Sequence, residues 1–210
     1  MNTPSTPLSH RLRAETKEAH TTAERSGIMR SLLGGTISPI EYVRLLDNLA
    51  ALYEALETEL DAHSGNAALS GVSWNALRRL PSLQQDIAAL TNSLHRADIK
   101  PSTRAYVEHL HALGRQSPEL IFAHAYLRYL GDLYGGQIIR RIVVDTFGEG
   151  VDDAISFYKF SNIRNLPEFK SEFRDAIDAI TPEMANHDTL VAEAMRGYEL
   201  HAQIFQELEG

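Results

Sequence analysis

Between positions 38 and 60, apolar residues recur every three or four residues, which is the spacing of one face of an α-helix. The segment opens with Ser38-Pro39-Ile40-Glu41, where Ser38 and Glu41 match a capping box and Pro39 suits the first helical turn. The apolar stripe consists of Tyr42, Leu45, Leu46, Leu49, Leu52, Tyr53, Leu56 and Leu60. The sequence therefore predicts a long helix that begins after Ser38, buries one face and ends before Gly65.

Similar spacing and helix start signals continue along the rest of the chain, and no stretch has the strict alternation of a strand. Further helices are predicted from Ser9 to near Gly27, Pro81 to His95, Pro101 to Leu113, Ser117 to Phe147, Pro167 to Ile180 and Pro182 to Leu208. Because the connectors are short, we expect one all-α domain over residues 9–210, a multi-helix bundle around one core. Residues 1–8 are rich in Ser, Thr and Pro, and we expect a disordered tail there.

The composition excludes several classes of function. The chain has no cysteine, which excludes disulfides, thiolate catalysis, Cys-ligated zinc or iron–sulfur sites and a thiolate-ligated heme. A formal net charge of −8 argues against general nucleic-acid binding, because that binding relies on neutralising phosphates. No apolar run approaches the roughly 18 residues of a membrane span, and the N-terminus has no signal-peptide pattern. We expect a soluble cytoplasmic protein that binds neither nucleic acid nor membrane.

Three glycines fall in the middle of the long helix predicted to end at Phe147. Gly131 and Gly135 are four residues apart and would share a helix face, and Gly136 follows directly. Each glycine inside a helix costs about 1 kcal/mol relative to alanine. The shared face has no side chains, so a flat ligand could approach the backbone there, with Asp132 beside it. The spacing equally allows a tight helix crossing or a loop between two shorter helices, with Asp132 solvated.

The chain has nine histidines, and His20 is the candidate metal ligand among them. Glu24 lies four residues later, where its carboxylate could orient the imidazole as metal-bound histidines require. A histidine opposite a glycine strip suggests heme, whose propionates need cations. Arg13 lies two helical turns before His20, and Lys170 and Arg174 form a basic pair four residues apart. The alternative is an exposed histidine together with ordinary solvated basic residues.

Two segments of the chain resemble motifs of the heme oxygenases. Lys17-Glu18-Ala19-His20-Thr21-Thr22-Ala23-Glu24 resembles the family's proximal helix. The segment from His124 to Gln137 resembles the distal-helix signature and includes Gly131-Asp132-Leu133-Tyr134-Gly135-Gly136. The family usually carries Ser where this chain has Tyr134, a departure that bears on the shape of the pocket. The resemblance extends over residues 9–208 and implies the heme oxygenase fold, with heme held between a proximal and a kinked distal helix.

The resemblance also implies a reaction in which heme is both substrate and cofactor. By matching position, His20 ligates the heme iron and Glu24 tunes that ligand. Asp132 matches the catalytic acid, which holds a water near the oxygen that binds the iron. Arg128 and Tyr53 match members of the same distal network. The implied products are biliverdin, CO and ferrous iron, formed with O₂ and with electrons from a ferredoxin or an NAD(P)H-dependent reductase.

The remaining implied residues contact the faces and edge of the heme. The three glycines Gly131, Gly135 and Gly136 would let the distal helix approach the ring closely. The positions that match propionate-binding residues are Arg13, Tyr126, Lys170 and Arg174. These charges would also leave a basic rim on an acidic protein, where an acidic electron donor could dock.

The main alternative is a heme carrier or sensor that never degrades the ring. Asp132 discriminates between the two functions, because a carrier has no need of a water-holding acid beside an open distal face. A thiaminase-like enzyme of the same helical superfamily would need a nucleophilic cysteine, which this chain lacks. A helical module that only binds other proteins would leave the mid-helix glycines unexplained.

Overall fold

A computed structural model describes residues 6–91 and 99–209, and within them the chain is helical with no strand. Ten α-helices lie in these ranges: α1 Leu8–Glu15, α2 Lys17–Glu24, α3 Ile28–Leu33, α4 Pro39–Ala62, α5 Trp74–Leu77, α6 Leu80–Thr91, α7 Pro101–Gln116, α8 Ile121–Phe147, α9 Leu166–Asp178 and α10 His187–Glu207. Three short 3-10 helices cover Pro118–Leu120, Glu149–Ala154 and Ser156–Tyr158. The predicted all-α class is confirmed.

Helix α4 begins where the capping box predicts. The Ser38 side chain accepts a hydrogen bond from the Glu41 backbone N–H, and the Glu41 carboxylate accepts one from the Ser38 backbone N–H. The predicted apolar stripe is buried along the whole helix. Local capping and one buried face therefore account for the position and the orientation of α4.

Helix α8 runs from Ile121 to Phe147 without interruption, which confirms the predicted long helix and excludes the alternative of a loop between two shorter helices. The helix ends where the sequence predicts, at Gly148, which has a φ of 83°. A positive φ is a conformation that glycine adopts without steric cost. The three mid-helix glycines therefore lie on a continuous helix and require a different explanation.

The N-terminal segment differs from the single helix predicted from Ser9. Two eight-residue helices, α1 and α2, meet at Thr16, which is buried and donates its hydroxyl to the Leu12 carbonyl at 2.6 Å. Ser9 lies inside α1, and its backbone N–H donates to the Asp178 carboxylate at 2.8 Å. The predicted tail falls mostly outside the described residues, but Leu8 is buried and belongs to α1. A long-range contact therefore decides where this helix begins.

Two other predicted boundaries also differ from the structure. Helix α10 begins at His187 rather than Pro182, and the Asn186 side chain caps it by accepting a hydrogen bond from the Thr189 backbone N–H. Helix α6 is described to Thr91, and the predicted end at His95 lies outside the described residues. The start of α10 shows that a side-chain cap outweighed the helix-start signal of the upstream proline.

The packing of the helices brings the two that carry the candidate site residues, α2 and α8, against one common helix. Buried apolar residues from α1 to α10 form one hydrophobic cluster, in which α4 packs mainly against α6 and α7. Helix α10 packs against both α2 and α8. Helix α10 therefore fixes the position of α2, which carries His20, relative to α8, which carries Asp132.

Candidate active site

The glycines on α8 lie beside open space. A Cβ atom added to Gly131 or Gly135 would meet no atom of the described residues within 4 Å. At Gly136 the nearest neighbour would be Tyr158 Cδ1, at an ordinary contact distance of 3.6 Å. A tight helix crossing therefore does not explain Gly131 or Gly135. The two residues instead leave a bare strip of backbone that faces the outside of the core.

A different glycine does serve a tight helix crossing. A Cβ atom on Gly197 of α10 would lie 2.3 Å from Leu127 Cδ2 and 3.1 Å from His124 Nδ1 on α8. A Cβ at residue 197 would force the Leu127 side chain to move, so glycine at this position permits the close packing of α10 against α8. The sequence pattern did not single out this position, because its partner helix is distant along the chain.

Beside the bare strip, three polar side chains form one hydrogen-bonded cluster. The Tyr53 hydroxyl on α4 donates to Asp132 Oδ2 on α8. Arg128, one turn earlier on α8, donates to Asp132 Oδ1 at 2.9 Å and to the Tyr53 hydroxyl at 3.2 Å. Tyr53 is fully buried, and the side chains of Asp132 and Arg128 are only 10% and 14% exposed. The structure thus brings together the three residues that the sequence assigned to the distal network.

Burial and charge act in opposite directions on this cluster. Burial raises the pKa of Asp132, and the adjacent Arg128 guanidinium opposes that rise by favouring the carboxylate. Burial, the largest single effect, lowers the pKa of Arg128, but Asp132, Tyr53 and Tyr106 together outweigh it and raise the pKa above its usual value. The Arg128 charge also lies 5.2 Å from the centre of the Tyr53 ring. The pair is therefore a compensated buried ion pair, held in one geometry by Tyr53.

His20 lies on α2 and is much more exposed. Its side chain is 43% exposed, and that of Glu24 is 51% exposed. Glu24 Oε2 lies 3.5 Å from His20 Nδ1, so the carboxylate faces that nitrogen and leaves Nε2 as the nitrogen for a ligand. The edge of the imidazole packs against Tyr198 of α10, with ring centres 5.3 Å apart. The Glu24 carboxylate therefore lies beside the His20 imidazole, as the sequence spacing predicts, on an exposed face of α2.

Three of the four predicted propionate-binding residues, Arg13, Tyr126 and Lys170, are connected to one another through Tyr126 and Tyr134. Tyr126 is buried, and it is close enough to Arg13 and Tyr134 for their charges to act on its pKa, which burial raises. The Lys170 ammonium lies 4.2 Å from the centre of the Tyr134 ring, which is half exposed. In the part of the chain that the structure describes, Arg13, Lys170 and Arg174 form no ion pair with a carboxylate. Cations that lack a carboxylate partner among the described residues are suited to an anionic ligand. None of the described contacts links Arg174 to Arg13 or Lys170.

Comparison with known proteins connects this arrangement to one family. The family model for heme oxygenase matches residues 6–207. The chain belongs to the heme oxygenase family. Among heme oxygenases of known sequence, Heme oxygenase 1 of a Nostoc species is 35% identical over 208 residues, which cover 98% of this chain and 87% of that protein. Heme oxygenase 1 of Gallus gallus is 33% identical, over 98% of this chain and 71% of its own length.

Solved heme oxygenase structures have the same architecture. Heme oxygenase-1 of Synechocystis, crystallised in complex with heme, has a TM-score of 0.91 and 32% identity, and the match covers 98% of this chain and 93% of that one. The heme oxygenase of Leptospira interrogans has a TM-score of 0.90 and 30% identity, over 96% of this chain and all of that one. The fold predicted from the resemblance is confirmed. In the described part of this heme oxygenase chain, no helix has the length and apolar character that a membrane crossing requires.

Several residues around the distal cluster were missed by the sequence analysis. Arg79 is buried, donates to the carbonyls of Phe157 and Lys159, and lies near enough to Asp132 to favour its carboxylate form. His201 of α10 is buried, and its Nε2 has no hydrogen-bond partner among the described residues. The carbonyls of Phe157 and Lys159 are distant in sequence from Arg79, and the burial of His201 depends on which helices pack against α10, so no local pattern could identify either residue.

Proposed function

We propose that this chain is a heme oxygenase that cleaves heme at a meso carbon to biliverdin, CO and ferrous iron. The reaction uses O₂ and electrons from a ferredoxin or an NAD(P)H-dependent reductase. The observation that carries the proposal is the buried Asp132, which Tyr53 and Arg128 hold beside two glycines with open space over them. Membership of the heme oxygenase family supports heme as the ligand of that space. A cytoplasmic location stays a prediction.

The residues on the proximal side are suited to holding heme iron. When bound, heme supplies the iron at which O₂ is reduced, and it is also the molecule that is oxidised. His20 would ligate the iron through Nε2, because Glu24 faces the other ring nitrogen. A carboxylate in that position fixes the ring orientation and increases the basicity of the ligand. Tyr198 supports the ring from α10 through an edge contact.

On the distal side, the chain would direct the reaction through two glycines that have no side chain and through the fixed carboxylate of Asp132. Gly131 and Gly135 supply no side chain, so these two positions of α8 would offer no second ligand to the heme iron. Asp132 is held in one orientation by a hydroxyl and a guanidinium, and the guanidinium opposes the rise in the Asp132 pKa that burial causes. A fixed carboxylate at the edge of an open space can order a water and move a proton at its own oxygens. Arg128 and Tyr53 would act by maintaining that geometry.

Three cations, Arg13, Lys170 and Arg174, would orient the heme by binding its propionates. Arg13, Lys170 and Arg174 carry charges that no carboxylate of the described residues neutralises, and propionates would neutralise them. Tyr126 would add a hydroxyl near Arg13. The choice of meso carbon then follows from the in-plane rotation that these contacts permit. The same basic rim is where we expect an acidic electron donor to dock.

The test is an absorption titration with hemin, followed by addition of reductant under air. We expect stoichiometric binding with the Soret band of a histidine-ligated heme, which then decays as bilin absorbance rises. Asp132→Asn should bind hemin with the same stoichiometry and form bilin about 10²–10³ times more slowly, because it removes a preorganised charge. Asp145→Asn is the matched control, since Asp145 is an exposed residue of the same helix.

The other outcomes are equally informative. A Soret band that persists after the iron has been reduced under air would indicate a heme carrier or sensor. The absence of any Soret shift would contradict the assignment of His20 as the iron ligand. Equal bilin rates for the wild type and Asp132→Asn would remove Asp132 from the mechanism while leaving heme degradation in place.

A further inference from the structure

A second cluster of potential metal ligands lies on helices α7, α8 and α10, away from His20 and the glycine strip. Its members are His109, His124 and Glu193. Both histidines direct Nε2 at the same carboxylate oxygen, Glu193 Oε1, at 2.6 Å from His109 and 2.9 Å from His124. The three ligand atoms all lie within 4.8 Å of one another. The sequence analysis did not group these residues, because they are far apart along the chain.

The environment of His124 is typical of an oriented ligand. Its side chain is only 1% exposed, and its second ring nitrogen, Nδ1, is 2.7 Å from the Tyr106 hydroxyl. A hydrogen bond at one nitrogen fixes both the ring orientation and the nitrogen that can bind a metal. His124 therefore presents Nε2 to the centre of the cluster in a position set by Tyr106.

The other two ligands are less confined, which provides both adjustment and access. The side chain of Glu193 is 14% exposed and that of His109 is 30% exposed. Ligand atoms around an ion with bonds of about 2.0–2.1 Å are separated by about 3.3 Å in a tetrahedral arrangement. The two short distances to Glu193 Oε1 must therefore lengthen by less than about 1 Å, and the two partly exposed side chains can move that far. An ion would enter from the side of His109.

We propose that His109, His124 and Glu193 form a binding site for a divalent first-row transition metal ion, with Zn²⁺ as the test ion. The ligands would be Nε2 of both histidines and a carboxylate oxygen of Glu193. Two imidazoles and one carboxylate are a ligand set that proteins use for Zn²⁺ and Fe²⁺, with the remaining positions open to water. The site uses no residue of the proposed heme site. The ion would link three helices that are separate in sequence.

The test is calorimetric titration of the full-length protein, heme-free and heme-loaded, with Zn²⁺. We expect one equivalent to bind in both forms. His109→Ala and Glu193→Gln should each weaken that binding by at least about 100-fold, and Tyr106→Phe should weaken it by about 10- to 100-fold through loss of the ring's orienting partner. His111→Ala is the matched control, since His111 is also on α7 and contacts a carboxylate, that of Glu59 at 2.6 Å.

Three results would overturn the proposal. The first is the absence of saturable binding of one equivalent, and the second is binding that survives both His109→Ala and Glu193→Gln. The third is binding lost in His111→Ala or in His20→Ala, which would place the ion elsewhere. If the substituted proteins fail to fold, as judged by helical circular dichroism, X-ray absorption of zinc bound to the wild type decides. That spectrum must contain scattering from two imidazole ligands.

Discussion

The two sides of the proposed heme site are built in different ways. On the distal side, Tyr53, Arg128 and Asp132 are buried and hydrogen-bonded to one another across α4 and α8, the two longest described helices. On the proximal side, His20 and Glu24 lie on the eight-residue helix α2, and each side chain is about half exposed. The distal side is therefore organised by the fold itself, whereas the proximal side remains open to solvent.

The two sides differ in the free energy that folding must spend on burying charged groups. Placing Arg128 and Asp132 in the core carries a desolvation cost, which their mutual attraction and Tyr53 offset during folding. No comparable burial is needed for His20. A change on the distal side should therefore affect both folding and catalysis, while a change at His20 should affect heme binding and leave folding almost unaltered. The following experiments test that separation.

Replacing His20 with alanine should have the largest effect on function. Because the iron loses its proposed protein ligand, bilin formation should fall by at least about 100-fold, while the free energy of unfolding of the heme-free protein changes by less than about 0.5 kcal/mol, as for other exposed residues. Single-turnover bilin absorbance and urea unfolding measure the two effects. Added imidazole should restore the Soret band, and a variant as active as the wild type would contradict the assignment.

Alanine at Gly135 should separate stability from heme binding on the distal side. The new Cβ meets no described atom within 4 Å, so the helix gains about 1 kcal/mol of stability from the better helix former. The same methyl group occupies space over the bare strip, and hemin affinity should fall by about 10-fold. In the matched variant, Gly197→Ala, the Cβ would lie 2.3 Å from Leu127 Cδ2. The free energy of unfolding should therefore fall by about 1–3 kcal/mol. Equal effects of the two substitutions on stability would refute this interpretation.

Removing the hydroxyl of Tyr53 should lower both the free energy of unfolding and the rate of bilin formation. Tyr53→Phe keeps the ring that faces Arg128 but removes the donor to Asp132, which should lower the free energy of unfolding by about 1–2 kcal/mol. Bilin formation should slow by about 10-fold, because the carboxylate is less firmly oriented. Hemin affinity, measured by titration, should not change, since the proximal side is untouched. A large loss of affinity would show that the two sides are coupled.

The smallest effect concerns His201, which is buried on α10 near enough to Arg128 for that charge to act on its pKa. Burial, with a contribution from the Arg128 charge, holds the pKa of His201 well below its usual 6.5. The unfolded chain therefore binds a proton below pH 6.5 that the folded chain does not, so stability is full above that pH and falls as the pH decreases. His201→Asn should reduce the dependence of the free energy of unfolding on pH by up to about 1.4 kcal/mol per pH unit. Urea unfolding between pH 7 and pH 5 measures it, and an unchanged slope would exclude His201 as the source.

Local patterns predicted a large part of this fold, because capping and helical periodicity act within a few residues. The Ser38 and Glu41 capping box starts α4 as predicted, and Gly148 ends α8. The break between α1 and α2 at Thr16 was not predicted, and neither was the start of α10 at His187. These boundaries depend on tertiary contacts and on a side-chain cap that competed with another start signal.

The candidate site was predictable only in part, for the same reason. Spacing alone placed Gly131 and Gly135 on one face and His20 four residues before Glu24. Spacing did not show whether that glycine face is packed, and resemblance to the heme oxygenases was needed to connect Tyr53 with Asp132. The His109, His124 and Glu193 cluster had no sequence signal, because its members come from three helices.

By itself, the sequence determined the helical class of this protein, the faces of its long helices and the chemistry available on each. Only the tertiary structure decided that Gly131 and Gly135 face open space while Gly197 packs closely against a crossing helix. It also decided that Asp132 is buried against Tyr53 and Arg128 while His20 is left exposed. Helix periodicity specifies which face of a helix carries a given side chain. Burial and charge pairing depend on which other helix packs against that face.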